Sequence, residues 1–439
     1  MGLYHIRTFG CQMNEHDSEI LAGVLERMGY DPVADVDKAD IILLNTCCVR
    51  ETAENKVFSY LGRLRSQKAK NPELIIGVCG CMPQQKGMAS RIRHLFPHVD
   101  LVFGTHNLHR LEEHLTRITG AREPVVEIWS SPGSITEGLP IKRKAGISAW
   151  VTIMYGCNNY CTYCIVPYVR GRERSRRPIE IIAEVTALGK NGFKEITLLG
   201  QNVNSYGKDL EEKKYDFAEL LKRLEEIEGI KRIRYMTSHP RDFNDRLIRT
   251  IASSSKVCEQ FHLPVQAGSN KILKKMNRGY TREDYFNLVD KIKAVLPHST
   301  ITTDIMVGFP GETDDDFEQT LDLVRQVRFD SAYTFIYNTR PGTPASKMAG
   351  QVPEEVKKQR IQTLIRLQNG ISLEKNRESV GSTEEILVEG KKVKDEFLLC
   401  GRNRGGKMVF FPGKESLISH IVPVNVKKAH LTYLVGCRV

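Results

Sequence analysis

Two spacings of apolar residues alternate along the first part of the chain. Short apolar runs at Tyr4–Thr8, Ile41–Asn45, Leu74–Cys79 and Leu101–Gly104 predict strands. Between them, Asp17–Met28 and Glu51–Lys68 follow the helical period. Strands alternating with helices predict a parallel α/β sheet. Ser130–Ala145, rich in Pro, Gly and Ser, interrupts the pattern and reads as a linker. The alternation then resumes. Strands are predicted at Ala149–Tyr155, Glu195–Gly200, Arg232–Thr237, Gln260–Pro264, Ile301–Val307 and Ser331–Tyr337, with helices such as Ile179–Lys190 and Phe217–Ile227 between them. Six βα units suit a partial or complete (β/α) barrel.

After a predicted helix at Pro353–Arg377, five short runs separated by Gly, Pro or charged turns predict a small all-β barrel: Glu384–Val388, Glu396–Leu399, Met408–Phe411, Ile418–Val424 and Ala429–Leu434. The expected organisation is an N-terminal parallel α/β domain (1–125), a linker (126–145), a (β/α) barrel (146–377) and a β-barrel (378–439).

Composition narrows the class. The 439 residues are 41% hydrophobic and 27% charged, as in ordinary soluble proteins. No stretch approaches the roughly 18 apolar residues of a membrane span, and the first residues carry no apolar leader. A cytoplasmic protein without a membrane association is expected. The net charge of +11 favours polyanionic partners. Eleven cysteines are an odd number in a large chain of this kind, which argues against a disulfide framework.

Cysteine spacing points to metal chemistry. Cys157, Cys161 and Cys164 form Cys-x-x-x-Cys-x-x-Cys directly after the barrel's first predicted strand, at the end where such barrels carry their chemistry. Three close thiolates suit zinc or an iron–sulfur cluster. Closed zinc sites take a fourth ligand, whereas three cysteines on a cubane leave one iron open to chelate a small molecule. In the N-terminal domain, Cys11, Cys47 and Cys81 each follow a predicted strand, so the parallel sheet brings them to one edge. That suits a second three-thiolate cluster. Cys79 ends its apolar run and reads as buried, while Cys47 and its neighbour Cys48 are equivalent on geometry.

A basic loop follows the barrel cysteines. Arg170, Arg172, Arg174, Arg176 and Arg177 surround one acid, Glu173, and read as phosphate contacts for RNA. Residues 381–439 carry ten Lys or Arg against six Asp or Glu, only a mild excess.

These motifs resemble the methylthiotransferase family of radical S-adenosylmethionine (radical SAM) enzymes over nearly the whole chain. Thr8-Phe9-Gly10-Cys11-Gln12-Met13-Asn14-Glu15 resembles the opening of its tRNA branch (MiaB-like), the 2-methylthio-N6-isopentenyladenosine synthases. Asn45-Thr46-Cys47 and Gly80-Cys81-Met82-Pro83 match its other auxiliary-cluster motifs, so the resemblance selects Cys47 over Cys48. Tyr163 before the last barrel cysteine fits the superfamily pattern, and the terminal barrel resembles the TRAM module that grips RNA.

The resemblance implies two [4Fe-4S] clusters and S-adenosylmethionine, which is cleaved on reduction to methionine and a 5′-deoxyadenosyl radical. It implies methylthiolation at C2 of N6-isopentenyladenosine at position 37 of tRNA, with a flavodoxin- or ferredoxin-type electron donor, an unnamed sulfur donor and a monomeric enzyme. Gln201 and Asn202 are candidates for the methionine end of the cofactor, and Gln266 and Asp304 for the nucleoside or the radical precursor. Alternatives are a methylthiotransferase for threonylcarbamoyladenosine or a ribosomal-protein aspartate, and a non-catalytic iron–sulfur RNA-binding sensor. No acid–base pair or Ser–His–Asp arrangement stands out.

Overall fold

The fold is taken from a computed structural model that describes residues 2–48, 51–143, 145–212, 214–392 and 395–439, with backbone alone at 51–53 and 395–397. The N-terminal sheet contains β1 (Gly2–Phe9), β2 (Tyr30–Pro32), β3 (Ile41–Thr46), β4 (Ile75–Gly80), β5 (Leu101–Phe103) and β6 (Val125–Glu127). All pairs are parallel, in the order β2-β1-β3-β4-β5-β6. Helices α1 (Gln12–Arg27), α2 (Glu51–Lys70), α3 (Met88–Leu95) and α4 (Leu111–Ala121) cover it. Strands β3 and β4 are buried throughout because each face packs a helix layer. Ile42, Leu44, Ile76 and Val78 meet α2 residues Val57 and Leu61. Ile41, Leu43 and Ile75 share the opposite layer with Leu21, Val24 and Leu25 of α1. Strand order reverses between β1 and β3, the place where doubly wound sheets open a crevice.

Helix α1 begins at Gln12, earlier than the periodicity predicts, because the Cys11 carbonyl accepts from the N–H groups of Asn14 and Glu15. Its first turns bury the polar Asn14, His16 and Asp17, which hides the amphipathic signal. Residues 128–147 contain no helix or strand among those described. They run against α1 so closely that a Cβ at Gly23 would overlap the Pro140 carbonyl. Arg143 anchors the run, pairing with Glu19 on α1 and with Glu184.

The central unit holds six parallel strands. The first predicted strand is two elements, β7 (Ser148–Thr152) and β8 (Met154–Tyr155), because the chain turns at Ile153 to pair antiparallel with β9 (Arg174–Ser175). A one-turn helix, α5 (Val166–Val169), lies between β8 and β9. Then follow α6 (Pro178–Lys190), β10 (Glu195–Leu199), α7 (Phe217–Glu225), β11 (Arg232–Tyr235), α8 (Asp245–Ser253), β12 (Gln260–His262), α9 (Asn270–Lys275), α10 (Arg282–Val295), β13 (Thr300–Val307), α11 (Asp314–Val327), β14 (Ser331–Ile336) and α12 (Glu354–Glu378). Sheets β11-β10-β7 and β12-β13-β14 join through the Ile233–Val257 bridge. The result is a partial barrel.

Its outward residues, such as Ile196, Leu198, Ile301 and Ile305, pack on the helices. Its inward face is polar: Thr197 pairs in register with Trp150 and Arg234, His262 with Thr302, and Asp304 with Tyr333. Such a lumen is a cavity for a polar guest rather than a packed core.

The last unit is a closed barrel, β15-β16-β17-β19-β18, of β15 (Thr383–Lys392), β16 (Asp395–Arg402), β17 (Met408–Pro412), β18 (Ile421–Ala429) and β19 (Tyr433–Arg438). The run Ala429–Leu434 read from sequence straddles the turn between β18 and β19. Lys427 and Lys428 continue β18 because they occupy positions exposed to water. The turn at residues 403–406 plugs the N-terminal end of the partial barrel: a Cβ at Gly405 would overlap Thr300, and one at Gly406 would overlap Gln260. Arg232 and Arg234 of β11 donate to the carbonyls of Arg402, Glu385, Asn403 and Arg404 at 2.6–2.9 Å.

Candidate metal centres

The loop carrying Cys157, Cys161 and Cys164 is fixed from three sides. Gly156 (φ +77°) approaches the Arg172 carbonyl closely enough that any Cβ would overlap it, and its N–H donates to Gln201 Oε1. Asn158 and Glu173 exchange backbone-to-side-chain bonds of 3.2 Å. Thr162 N–H donates to Met276 O at 3.1 Å, and Asn277 Nδ2 donates to the carbonyls of Asn159 and Tyr160. Asn159 Nδ2 reaches Cys157 Sγ at 3.4 Å. Burial pushes the thiols of Cys157 and Cys164 up to about 11 and about 12, so a bound metal rather than solvent would hold them as thiolates.

Arg278 gives the test of whether the donor set fits a cluster. Its guanidinium is 4% exposed, yet among the described residues it pairs with no carboxylate. It donates to Cys161 Sγ at 3.3 Å, Tyr163 Oη at 3.4 Å, Tyr280 Oη at 3.1 Å and Pro264 O at 2.7 Å. A buried cation without a counterion is costly. An anionic thiolate cluster on Cys157, Cys161 and Cys164 would supply the missing charge. Sequence reasoning missed Arg278, which sits in a turn where the structure holds Asn277 and Gly279 at positive φ.

In the N-terminal domain the register Phe9–Thr46–Gly80 sets Cys11, Cys47 and Cys81 along one sheet edge at the β1/β3 switch point. Gly80 (φ +95°) turns the chain out of β4, and Cys81 N–H donates to Thr46 O at 2.7 Å. Asn45 ties this edge to α1 through Asn14 and Ser18. Cys79 is fully buried in the core. The thiol bonded to Cys81 is that of Cys48, which together with a neighbouring guanidinium draws Cys81 down to about 6. Cys47, buried beside it, remains the ligand named by resemblance alone. All eleven cysteines are free of disulfides. Among the described residues no three His, Cys, Asp or Glu side chains stand at the spacing of one metal ion; a cubane spreads its cysteines over separate irons.

The two sets meet at α5. Ile165 and Val169 are buried in the N-terminal core with Cys48, Cys81 and Val57, and Thr105 donates to Val169 O at 2.6 Å.

The remaining predicted site residues divide. Tyr163 packs beside the barrel cysteines, its phenol raised by burial. Gln201 is spent on Gly156, and Asn202 donates to Asp242 Oδ2 at 2.8 Å while its own buried Oδ1 has no partner among the described residues. Gln266 (φ +74°) pairs by backbone with Asp304, whose carboxylate stands 3.6 Å from His262.

The basic loop is corrected. Arg170 and Arg176 turn inward, Arg170 to Asp17 and Arg176 to Glu137 and Glu184, so buried pairing withdraws both from phosphate. Arg174 lies against Tyr155 and donates to Gly133 O. Arg172 is exposed, and so is Arg177, paired with Glu180. Sequence reasoning also missed Tyr160 and Tyr168, exposed and edge-to-face at 6.1 Å beside the cysteine loop.

Comparison with known proteins agrees with this division. Residues 151–324 match the Radical SAM superfamily, 3–104 the Uncharacterized protein family UPF0004, and 377–437 the TRAM domain. Among solved structures, the radical S-adenosylmethionine methyltransferase TsrM from Kitasatospora setae shares the fold at a TM-score of 0.58 and 15% identity, over 79% of this chain and 77% of that one. The fold and cysteine loop thus define a radical SAM protein, a class that uses S-adenosylmethionine and a [4Fe-4S] cluster. Two relatives named tRNA-2-methylthio-N(6)-dimethylallyladenosine synthase are closer. That of Pelotomaculum thermopropionicum is 66% identical, over 99% of this chain and 97% of its own. That of Carboxydothermus hydrogenoformans is 60% identical, over 99% and 98%. The chain belongs to the tRNA-2-methylthio-N(6)-dimethylallyladenosine synthase family.

Proposed function

We propose that this chain attaches a methylthio group to C2 of N6-dimethylallyladenosine (isopentenyladenosine) in tRNA, at position 37, using one cluster on Cys157, Cys161 and Cys164 and a second on Cys11, Cys47 and Cys81. The junction at α5 carries this reading: it seats the loop of one cysteine set in the core that holds the other, as chemistry at one substrate by two centres requires. The substrate follows the names of the full-length relatives.

When bound, an open-iron cubane supplies reductive cleavage of S-adenosylmethionine. The chain's own residues bury the thiols, hold Gly156 through Gln201, and offer His262, Asp304 and Tyr333 in the lumen to a nucleoside. Tyr160 and Tyr168 suit stacking of unpaired bases, with Arg172 for phosphate. A small electron-transfer protein would serve as reductant of a monomeric enzyme, and the eleven free thiols suit the reducing cytoplasm. Among the described residues no helix is long and apolar enough to cross a membrane.

Mass analysis of hydrolysed tRNA from a deletion strain tests the reading. Methylthio-isopentenyladenosine should disappear, return with the intact gene, and stay absent with Cys11→Ala or Cys157→Ala. Its persistence in the deletion strain overturns the substrate assignment. Anaerobically reconstituted protein should hold about eight irons, falling to about four in the Cys11→Ala/Cys47→Ala/Cys81→Ala variant.

A further inference from the structure

One guanidinium joins the two cysteine sets. Arg170 ends α5, its N–H closing on Val166 O at 2.8 Å, and its side chain leaves the barrel for the N-terminal domain. There Nε donates to Cys81 Sγ at 3.2 Å and Nη2 to Asp17 Oδ2 at 2.7 Å. Arg170 is 4% exposed and Asp17 wholly buried, and among the described residues Asp17 Oδ1 has no partner. A buried ion pair is a poor way to stabilise a fold, since apolar side chains of similar volume do as well or better. A donor on a ligating sulfur has a different use. It orients the ligand, and its charge favours the more negative state of the metal centre.

We propose that Arg170 is a positioning residue of the N-terminal cluster, supplied by the loop that carries the barrel's cysteines. It holds Cys81 in place and raises the reduction potential of that cluster above the value the N-terminal domain alone would set. This rests on the reading that Cys11, Cys47 and Cys81 bind a cluster. The consequence is an order of assembly: the N-terminal site is complete only once α5 has seated in the N-terminal core, so the barrel loop must fold before the second centre acquires its working potential.

The test uses the reconstituted full chain in two variants, Asp17→Asn and Asp17→Asn/Arg170→Gln, the second leaving no buried charge unpaired. Redox titration followed by electron paramagnetic resonance, with iron counted in each sample, reads both clusters separately. The expected result is a more negative midpoint for the N-terminal cluster in the double variant than in Asp17→Asn, with the barrel cluster unmoved. Equal midpoints in the two variants overturn the role, and so does an equal shift of both clusters, which would report a general loosening. A wild-type chain holding about four irons removes the two-cluster reading, and this role with it.

Discussion

At the scale of single residues, the candidate centres are governed by charges placed out of water. Arg278 is buried among Cys161, Tyr163 and Tyr280 with no carboxylate beside it among the described residues. In Arg278→Met the counter-charge to a thiolate cluster is lost while side-chain volume is roughly kept. The barrel site should then lose affinity for its cluster, on the order of the 10–100-fold typical of outer-shell changes. Iron should fall from about eight toward about four per chain, with the N-terminal cluster retained. Full iron with an unchanged spectrum would contradict the assignment. Nothing in the sequence around Met276-Asn277-Arg278-Gly279 announced this, because an arginine in a turn is ordinarily solvated. The five arginines after Cys164 show the reverse: their density suggested phosphate, and burial turned two of them into structural partners of Asp17, Glu137 and Glu184.

At the scale of elements, α1 is the hinge-pin between sheet and barrel. His16 packs against β7, its Nδ1 3.2 Å from Thr152 Oγ1 and its buried Nε2 without a partner among the described residues. Burial, reinforced by the charges of Arg143, Arg176 and Arg170, holds His16 well below the usual histidine range. The folded state therefore keeps His16 neutral where the unfolded chain takes up a proton. Stability attributable to His16 is full above about pH 6.5 and declines as pH falls below it, by up to about 1.4 kcal/mol per pH unit. Urea unfolding between pH 7.5 and 5.5 should show a shallower decline in His16→Gln than in the parent chain. Parallel slopes would mean that the docked helix accommodates the protonated ring. The start of α1 escaped the sequence pattern for the same reason: its polar first turns are covered by a second unit, and amphipathicity reports only the face that meets water.

At the scale of the whole molecule, the terminal barrel is part of the central unit's construction as well as its TRAM domain. Arg232 is fully buried, and its Nη1 and Nη2 donate to Arg402 O and Glu385 O at 2.6 Å. Replacing it by Met removes both charge-assisted bonds to these carbonyls, a cost of about 1.5–3 kcal/mol for each bond lost. Limited proteolysis of Arg232→Met should release the fragment beyond α12 faster than from the parent chain, and tRNA affinity should fall although no phosphate contact is touched. Unchanged cleavage would show that the plug at residues 403–406 suffices to hold the units together.

Legible in the sequence were four of the six sheet strands, the barrel strands, the five-stranded terminal barrel as a class and the placing of six cysteines at strand ends. Those follow from local periodicity and from the rule that parallel strands present their C-terminal ends on one side. Which partner each buried guanidinium meets emerged on folding: Arg170 with Asp17 and Cys81 and Arg232 with the terminal barrel across domains, and Arg278 with Cys161 inside the partial barrel. The partners of the interdomain pairs lie 89 to 170 residues apart. No local pattern encodes such a pairing, because its energy exists only after folding has removed the water that would otherwise solvate each charge.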